Sequence, residues 1–301
     1  MTGTPRRLFV RSVLGAGLLP ALLLACASPA AGPGAPVLSS ERIAQIIARA
    51  DRTAADRTND QRRKPEQMLA FIGIRPGMVA LDVSAGGGYT TELLARAVGP
   101  GGQVFGQSPP RDPSRAPPAP AAPEGVSHPA SAPETAAPPP PARPAGPPRT
   151  SAMALAEREA RLRSANVAAA ALVAVAQKFE DPVPAALADG GLDLVTLMFN
   201  YHDLGFMGVD RAQMNRAVFR ALKPGAMYVI ADHAGRPGTG ISESGTLHRI
   251  EEAFLRREVE AAGFRLAAEG QFLRNPGDPR DQNTPNPPQP KDEFVLKFVK
   301  P

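Results

Sequence analysis

Two groups of residues have types and spacing suited to chemistry. Three of the four histidines, His202, His233 and His248, fall just after a run of strand character, at the end of the next such run, and at the opening of the segment beyond it. Imidazole titrates near neutrality and so suits a general base. His202 is the first candidate, with Asp203 as its orienting acid or a substrate contact, and His233 the second. The other group is Leu81-Asp82-Val83-Ser84-Ala85-Gly86-Gly87-Gly88-Tyr89, a buried strand that ends in a glycine loop and runs into a helix. Glycine lets backbone approach a ligand closely, and the helix that follows offers free N–H groups to a carboxylate or phosphate. Asp82, Ser84, Ala85, Gly86, Gly87 and Gly88 are therefore candidate cofactor contacts. A dinucleotide fingerprint is disfavoured, because aligning Gly86 and Gly88 puts Thr91 where its third glycine belongs.

The elements that must position these residues are legible from periodicity. Ser40 reads as a helix cap ahead of Ile43, Ile46, Ile47 and Ala50, which share one helical face. Arg62, Arg63 and Lys64 follow Asp51, Asp56 and Asp60 at helical distances and read as a solvated face. Residues 66–72 continue helically, Met78 to Val83 is a strand, and Thr90 to Val98 is a helix stopped at Gly99-Pro100. Met153 to Ser164 is helical, and Val167 to Val175 suits either strand or helix. Leu192 to Asn200 is a strand, and Asp210 to Leu222 is a helix with Asp210 and Gln213 in capping-box spacing. Met227 to Ala231 is a strand, Leu247 to Ala262 a helix, and Phe264 to Leu273 and Glu293 to Val299 close the chain as strands. This alternation predicts an α/β, Rossmann-like, doubly wound and mostly parallel sheet, with its ligand site at the carboxyl ends of the strands.

The remaining sequence organises the chain around that domain. Residues 1–25 read as an export signal: Arg6-Arg7-Leu8-Phe9-Val10-Arg11 resembles a twin-arginine motif, and the apolar run Val13 to Ala25 is shorter than the roughly 20 residues of a spanning helix. Leu23-Leu24-Ala25-Cys26 resembles a lipobox, so Cys26, the single cysteine, is expected to be lipidated, with residues 26–39 as a tether. One cysteine also excludes intramolecular disulfides and cysteine-based zinc sites. Proline (35) and glycine (28) are abundant in the 301 residues, and 16 of the prolines lie in residues 108–150. That segment has hardly any large apolar residue to offset its ordering entropy and reads as a disordered insertion within one domain, 40–301. Of the net charge of +5, Arg6, Arg7 and Arg11 supply three. The balance that remains gives no reason to expect a nucleic-acid partner.

The glycine loop resembles motif I of the class I S-adenosylmethionine-dependent methyltransferases, through Asp82, Gly86 and Gly88, with Ser84 in place of the first usual glycine. Asp193-Leu194-Val195 and Ala221-Leu222-Lys223-Pro224-Gly225 extend the resemblance, and Phe199-Asn200-Tyr201-His202-Asp203, Ile230-Ala231-Asp232-His233 and Leu247-His248-Arg249-Ile250 resemble exported bacterial methyltransferases. The resemblance implies a seven-stranded sheet with a terminal antiparallel strand, S-adenosylmethionine as cofactor, and a small or medium acceptor in the cell envelope, outside the cytoplasm. Asn200 joins the implied cofactor contacts. Gln107 stands where the family has an acid for the ribose hydroxyls, and Glu180 and Asp181 are candidates for the adenine amine. A divalent cation among His202, Asp203, Asp232 and His233 is conceivable, although the site is read without metal. The alternative to an enzyme is a non-catalytic cofactor-binding or scaffold lipoprotein of the same fold.

Overall fold

A computed structural model describes residues 1–3, 35–110, 149–285 and 289–301. The expected signal segment through Arg11 and the apolar run, the lipobox cysteine Cys26, and nearly all of the 108–150 insertion lie outside the described residues. The chain runs α1 (Ser40–Ala48), α2 (Ala54–Arg63), α3 (Pro65–Ile72), β1 (Val79–Val83), α4 (Tyr89–Val98), β2 (Gln103–Ser108), α5 (Ser151–Ser164), β3 (Leu172–Ala176) and β4 (Leu192–Met198). It continues through α6 (Asp203–Phe206), α7 (Arg211–Ala221), β5 (Leu222–His233), α8 (Glu252–Glu260), β6 (Arg265–Gly270) and β7 (Glu293–Val299).

The seven strands form one sheet in the order β3-β2-β1-β4-β5-β7-β6. β1 pairs in parallel with β2 and with β4, β2 with β3, and β4 with β5. β7 alone runs against its neighbours, antiparallel to both β5 and β6. This bears out the expected doubly wound sheet. Its apolar surfaces are covered on both sides. On one, Ile43, Ile46 and Ile47 of α1, Met68 and Leu69 of α3 and Leu93 and Leu94 of α4 pack on Ala80, Leu194 and Val229. On the other, Met214 and Val218 of α7 and Leu255 and Val259 of α8 pack on Val195, Leu197, Ile230 and Phe298. Central strands buried on both faces need continuous apolar runs, which is why β4 and β5 lack an alternating pattern.

Local signals set most boundaries, with corrections. Ser39, not Ser40, caps α1, its hydroxyl accepting from the Arg42 amide. Asp210 caps α7 by accepting from the Gln213 amide, as its spacing predicts. Of the ambiguous stretch Val167 to Val175, the part from Leu172 is strand, in β3, because β2 offers it a parallel edge, and the part before it is neither strand nor helix. The helix expected from Leu247 begins only at Glu252, since Ile250 bridges Ala234 and Gly235 donates to the Ile250 carbonyl, holding that segment extended. The largest departure is α2. Its Asp56 is 1% exposed, and the guanidinium groups of Arg62 and Arg63 stack over the Phe199 ring at 4.6 and 4.8 Å. The expected solvated face is turned inward over the strand ends.

Candidate functional site

From β1 the chain moves through α4 to β2 on one side, and it later returns through β4 on the other. The carboxyl ends of β1 and β4 therefore flank the point where the winding reverses, which is where open α/β sheets place their ligand crevice. Ser84 follows β1 there and Asn200 follows β4.

The loop after β1 makes its turn with three residues of left-handed backbone: Ser84 (φ 61°), Gly86 (φ 51°) and Gly88 (φ 75°). For serine that conformation costs roughly 1–2 kcal/mol, and two bonds hold it. The Ser84 amide donates to Gln107 Oε1 at 3.0 Å, and its hydroxyl donates to Asn200 Oδ1 at 2.6 Å. The Ala85 amide donates to the Gln107 carbonyl at 2.8 Å. Gly86 and Gly87 are exposed, and a Cβ on Gly87 would meet nothing within 4 Å. Gly88 faces inward instead, where a Cβ would lie 2.6 Å from Leu155 Cδ2 on α5. Arg158, one turn further along α5, donates to the Gly87 carbonyl at 2.5 Å and to Asp56 and Glu92. Helix α5 thus braces the loop from behind and leaves its outer rim open.

Asp82 sits beneath the loop, wholly buried, and accepts from the hydroxyls of Thr91 at 2.7 Å and Thr196 at 2.8 Å. Burial pushes its carboxyl up to about 6, against the pull of those two hydroxyls. Its place is a strut tying β1, α4 and β4 rather than a contact in the crevice. Gln107 is also fully buried, and besides accepting from Ser84 it donates through Nε2 to the Gln177 carbonyl at 2.7 Å. Both ends of its carboxamide are engaged across β1, β2 and β3. Glu180 is half-buried and Asp181 exposed in the segment after β3.

On the β4 and β5 side the histidines do converge. The rings of His202 and His233 lie 5.3 Å apart, and those of His202 and His248 5.6 Å apart. His202 Nδ1 is 2.6 Å from Asp232 Oδ1, and its backbone amide donates to Asp232 Oδ2 at 2.8 Å. Its Nε2 is 3.0 Å from Asp203 Oδ1, and His248 Nδ1 lies 3.0 Å from that same oxygen. Asn200 Nδ2 donates to Asp203 Oδ2 at 2.6 Å. Asn200 therefore links the glycine loop to the histidine cluster.

These contacts reassign the expected roles. Burial opposes the charge on His202, but Asp232 and Asp203 outweigh it and raise its pKa to about 10. Protonated at neutral pH and bonded at both nitrogens, His202 in this arrangement has no lone pair to act as the expected base. His233 has the opposite character: burial, with Lys291 nearby, holds its pKa well below the usual histidine range, so the ring is neutral. Its Nδ1 lies 3.0 Å from Glu293 Oε1 without a hydrogen bond to it. The four-residue cation set also changes, since Asp232 stands behind His202 and His233 turns toward Glu293. Sequence reasoning gave little weight to His248 and none to Arg158. The Asp232-His233 pair was visible as a strand end, whereas nothing local marks a residue on α5 as the brace of a loop 71 positions away.

No protein-family model and no curated protein matches the chain. Among solved structures it is similar to a SAM-dependent methyltransferase from Aquifex aeolicus, at 15% identity over 88% of this chain and 100% of that one, with a TM-score of 0.49. It is also similar to an arsenic(III) S-adenosylmethionine methyltransferase from Chlamydomonas reinhardtii (16% identity, 75% of this chain and 64% of that one, TM-score 0.45). A third is a TehB-like SAM-dependent methyltransferase from Corynebacterium glutamicum (15% identity, 82% and 99%, TM-score 0.42). Such likeness concerns architecture. The strand order and the reversed β7 define a Rossmann-like, doubly wound sheet with one antiparallel strand.

Proposed function

We propose that this chain is an S-adenosylmethionine-dependent methyltransferase acting on a small or medium acceptor. The observation that carries the reading is the backbone cradle at the winding reversal: a loop with left-handed residues 84, 86 and 88, its Gly86-Gly87 rim exposed, opening directly onto the first turn of α4. The rim and the α4 amides would hold the anionic amino-acid end of the cofactor. When bound, the cofactor supplies a methyl group on an electrophilic sulfonium. The protein's part is then alignment and proton management. Neutral His233 is the residue able to take a proton from an acceptor hydroxyl or amine, and the His202 ring lies 5.3 Å from it.

Calorimetric titration of the full chain with S-adenosylmethionine and its demethylated product tests this. One cofactor per chain is expected, with binding lost in Gly87→Glu, where the backbone and the open space accept a side chain but its carboxylate occupies the cradle. Absence of binding, or binding indifferent to Gly87→Glu, refutes the reading. The commitment of Gln107 to Ser84 and Gln177 favours a second reading, a non-catalytic binder, because the end of β2 has an amide in place of an acid and that amide is already engaged at both ends. Methyl release with oxygen and nitrogen acceptors, lowered at least tenfold by His233→Ala, separates enzyme from binder.

The reading includes export and lipidation at Cys26. Cys26→Ser is expected to release the protein from the membrane fraction and abolish fatty-acid labelling; retention of both refutes that part of the reading.

A further inference from the structure

His202 Nε2, Asp203 Oδ1 and His248 Nδ1 all lie within 4.8 Å of one another, with each nitrogen 3.0 Å from the shared oxygen. Two ligands at right angles on bonds of about 2.1 Å are themselves about 3.0 Å apart, so each imidazole nitrogen stands at the spacing of neighbouring ligands from Asp203 Oδ1. The donor atoms are also held in place from behind. Asp232, wholly buried, engages His202 Nδ1 at 2.6 Å and so leaves Nε2 as the nitrogen that faces the cluster. A carboxylate behind an imidazole is the usual device for orienting a metal-bound histidine. Asn200 holds the second oxygen of Asp203, leaving Oδ1 to the two rings. His248, whose side chain is 40% exposed, forms the solvent side of the group.

We propose that His202, Asp203 and His248 bind one divalent first-row transition cation. Two imidazoles with one carboxylate suit zinc, manganese, iron or cobalt better than magnesium or calcium, whose preference is for oxygen. The cation takes the place of the proton that otherwise bridges His202 Nε2 and Asp203. Three protein ligands leave coordination positions open toward solvent beside His248, and these suit an oxygen ligand such as a carboxylate or paired hydroxyls. That the ligand is the methyl acceptor rests on the proposed methyl transfer, whereas cation binding does not.

The test uses the full chain stripped with chelator and titrated with Co2+, read by its visible absorption, with Zn2+ competition and Mg2+ as a comparison. The expected result is one Co2+ per chain, displaced by Zn2+ and not by Mg2+. Affinity should fall at least tenfold in His248→Ala and in Asp203→Asn, fall about 10- to 100-fold in Asp232→Asn, and stay unchanged when the fourth histidine of the sequence, in the proline-rich segment 108–150, is replaced in His128→Ala. Absence of Co2+ binding, or binding that survives His248→Ala, overturns the proposal. Because the His248 ring is partly exposed, that variant decides the matter even if Asp203→Asn fails to fold. Cofactor calorimetry on the same samples reads the methyltransferase assignment separately: cation binding without cofactor binding refutes that assignment alone, and the reverse refutes the cation site alone.

Discussion

Asp82 and Gln107 show how single polar side chains under the crevice set both stability and its pH dependence. The Asp82 pKa is raised by burial to about 6 from an ordinary 3.8. A carboxyl raised in the folded state binds its proton more tightly there than in the unfolded chain. The associated stability is complete below about pH 4 and is lost as pH rises through 6, amounting to about 3 kcal/mol. His233, held neutral by burial, has the opposite dependence, so the Asp82 part is read as a difference: between about pH 4 and 7 the urea midpoint of the native chain should fall relative to that of Asp82→Asn, which can still bond both Thr91 and Thr196. Equal pH dependence in the two proteins would contradict the assignment. Gln107→Leu keeps the volume but leaves the Ser84 amide and the Gln177 carbonyl without their bonds. A cost of about 2–4 kcal/mol is expected for two part-buried backbone groups, measured as a lower urea midpoint at unchanged slope.

Helix α5 is the element on which the glycine loop depends, and it does so through shape and charge together. Gly88→Ala sets a methyl group 2.6 Å from Leu155 Cδ2 at a backbone φ of 75°. Destabilisation of about 2 kcal/mol or more is expected from overpacking and backbone strain combined. Adding Leu155→Ala relieves only the clash, so the double variant should sit above the additive sum, with the φ penalty remaining. The double-mutant cycle in urea reads that coupling. Arg158 joins the loop carbonyl to Asp56 of α2 and Glu92 of α4, and both carboxylates are buried. Arg158→Ala is expected to cost about 3 kcal/mol, because buried Asp56 loses its close guanidinium partner while Glu92 keeps Arg96 and Arg161, and to speed hydrogen exchange in the first turn of α4. Unchanged exchange there would show that α5 does not brace the loop.

At the scale of the whole molecule, the last strand holds the sheet's far edge together. β7 pairs with β5 along Met227 to His233 on one side and with β6 on the other, and Phe294, Leu296 and Phe298 are buried. Removing residues 292–301 would bare both neighbouring edges and the core beneath. The truncated chain is expected to lose cooperative urea unfolding, while Phe298→Ala keeps it at a cost of about 3–5 kcal/mol. A truncated protein that still unfolds in a single sharp transition would show that the parallel strands stand without β7.

The sequence by itself determined the alternation of strands and helices, the glycine loop after β1 and the positions of His202 and His233 at strand ends. These are local properties: apolar periodicity, a cap at Asp210, and glycine where the backbone turns left-handed are all written within a few residues. What only the tertiary structure decided is the chemical state of those residues. His202 is an imidazolium because Asp232, 30 positions away, and Asp203 bond its two nitrogens. Gln107 is committed because Ser84 and Gln177 reach it from the ends of neighbouring strands, and Arg62 and Arg63 turn inward because Phe199 lies beneath them. Protonation and hydrogen-bond commitment follow burial and through-space charge, and those arise only when distant segments of chain pack together.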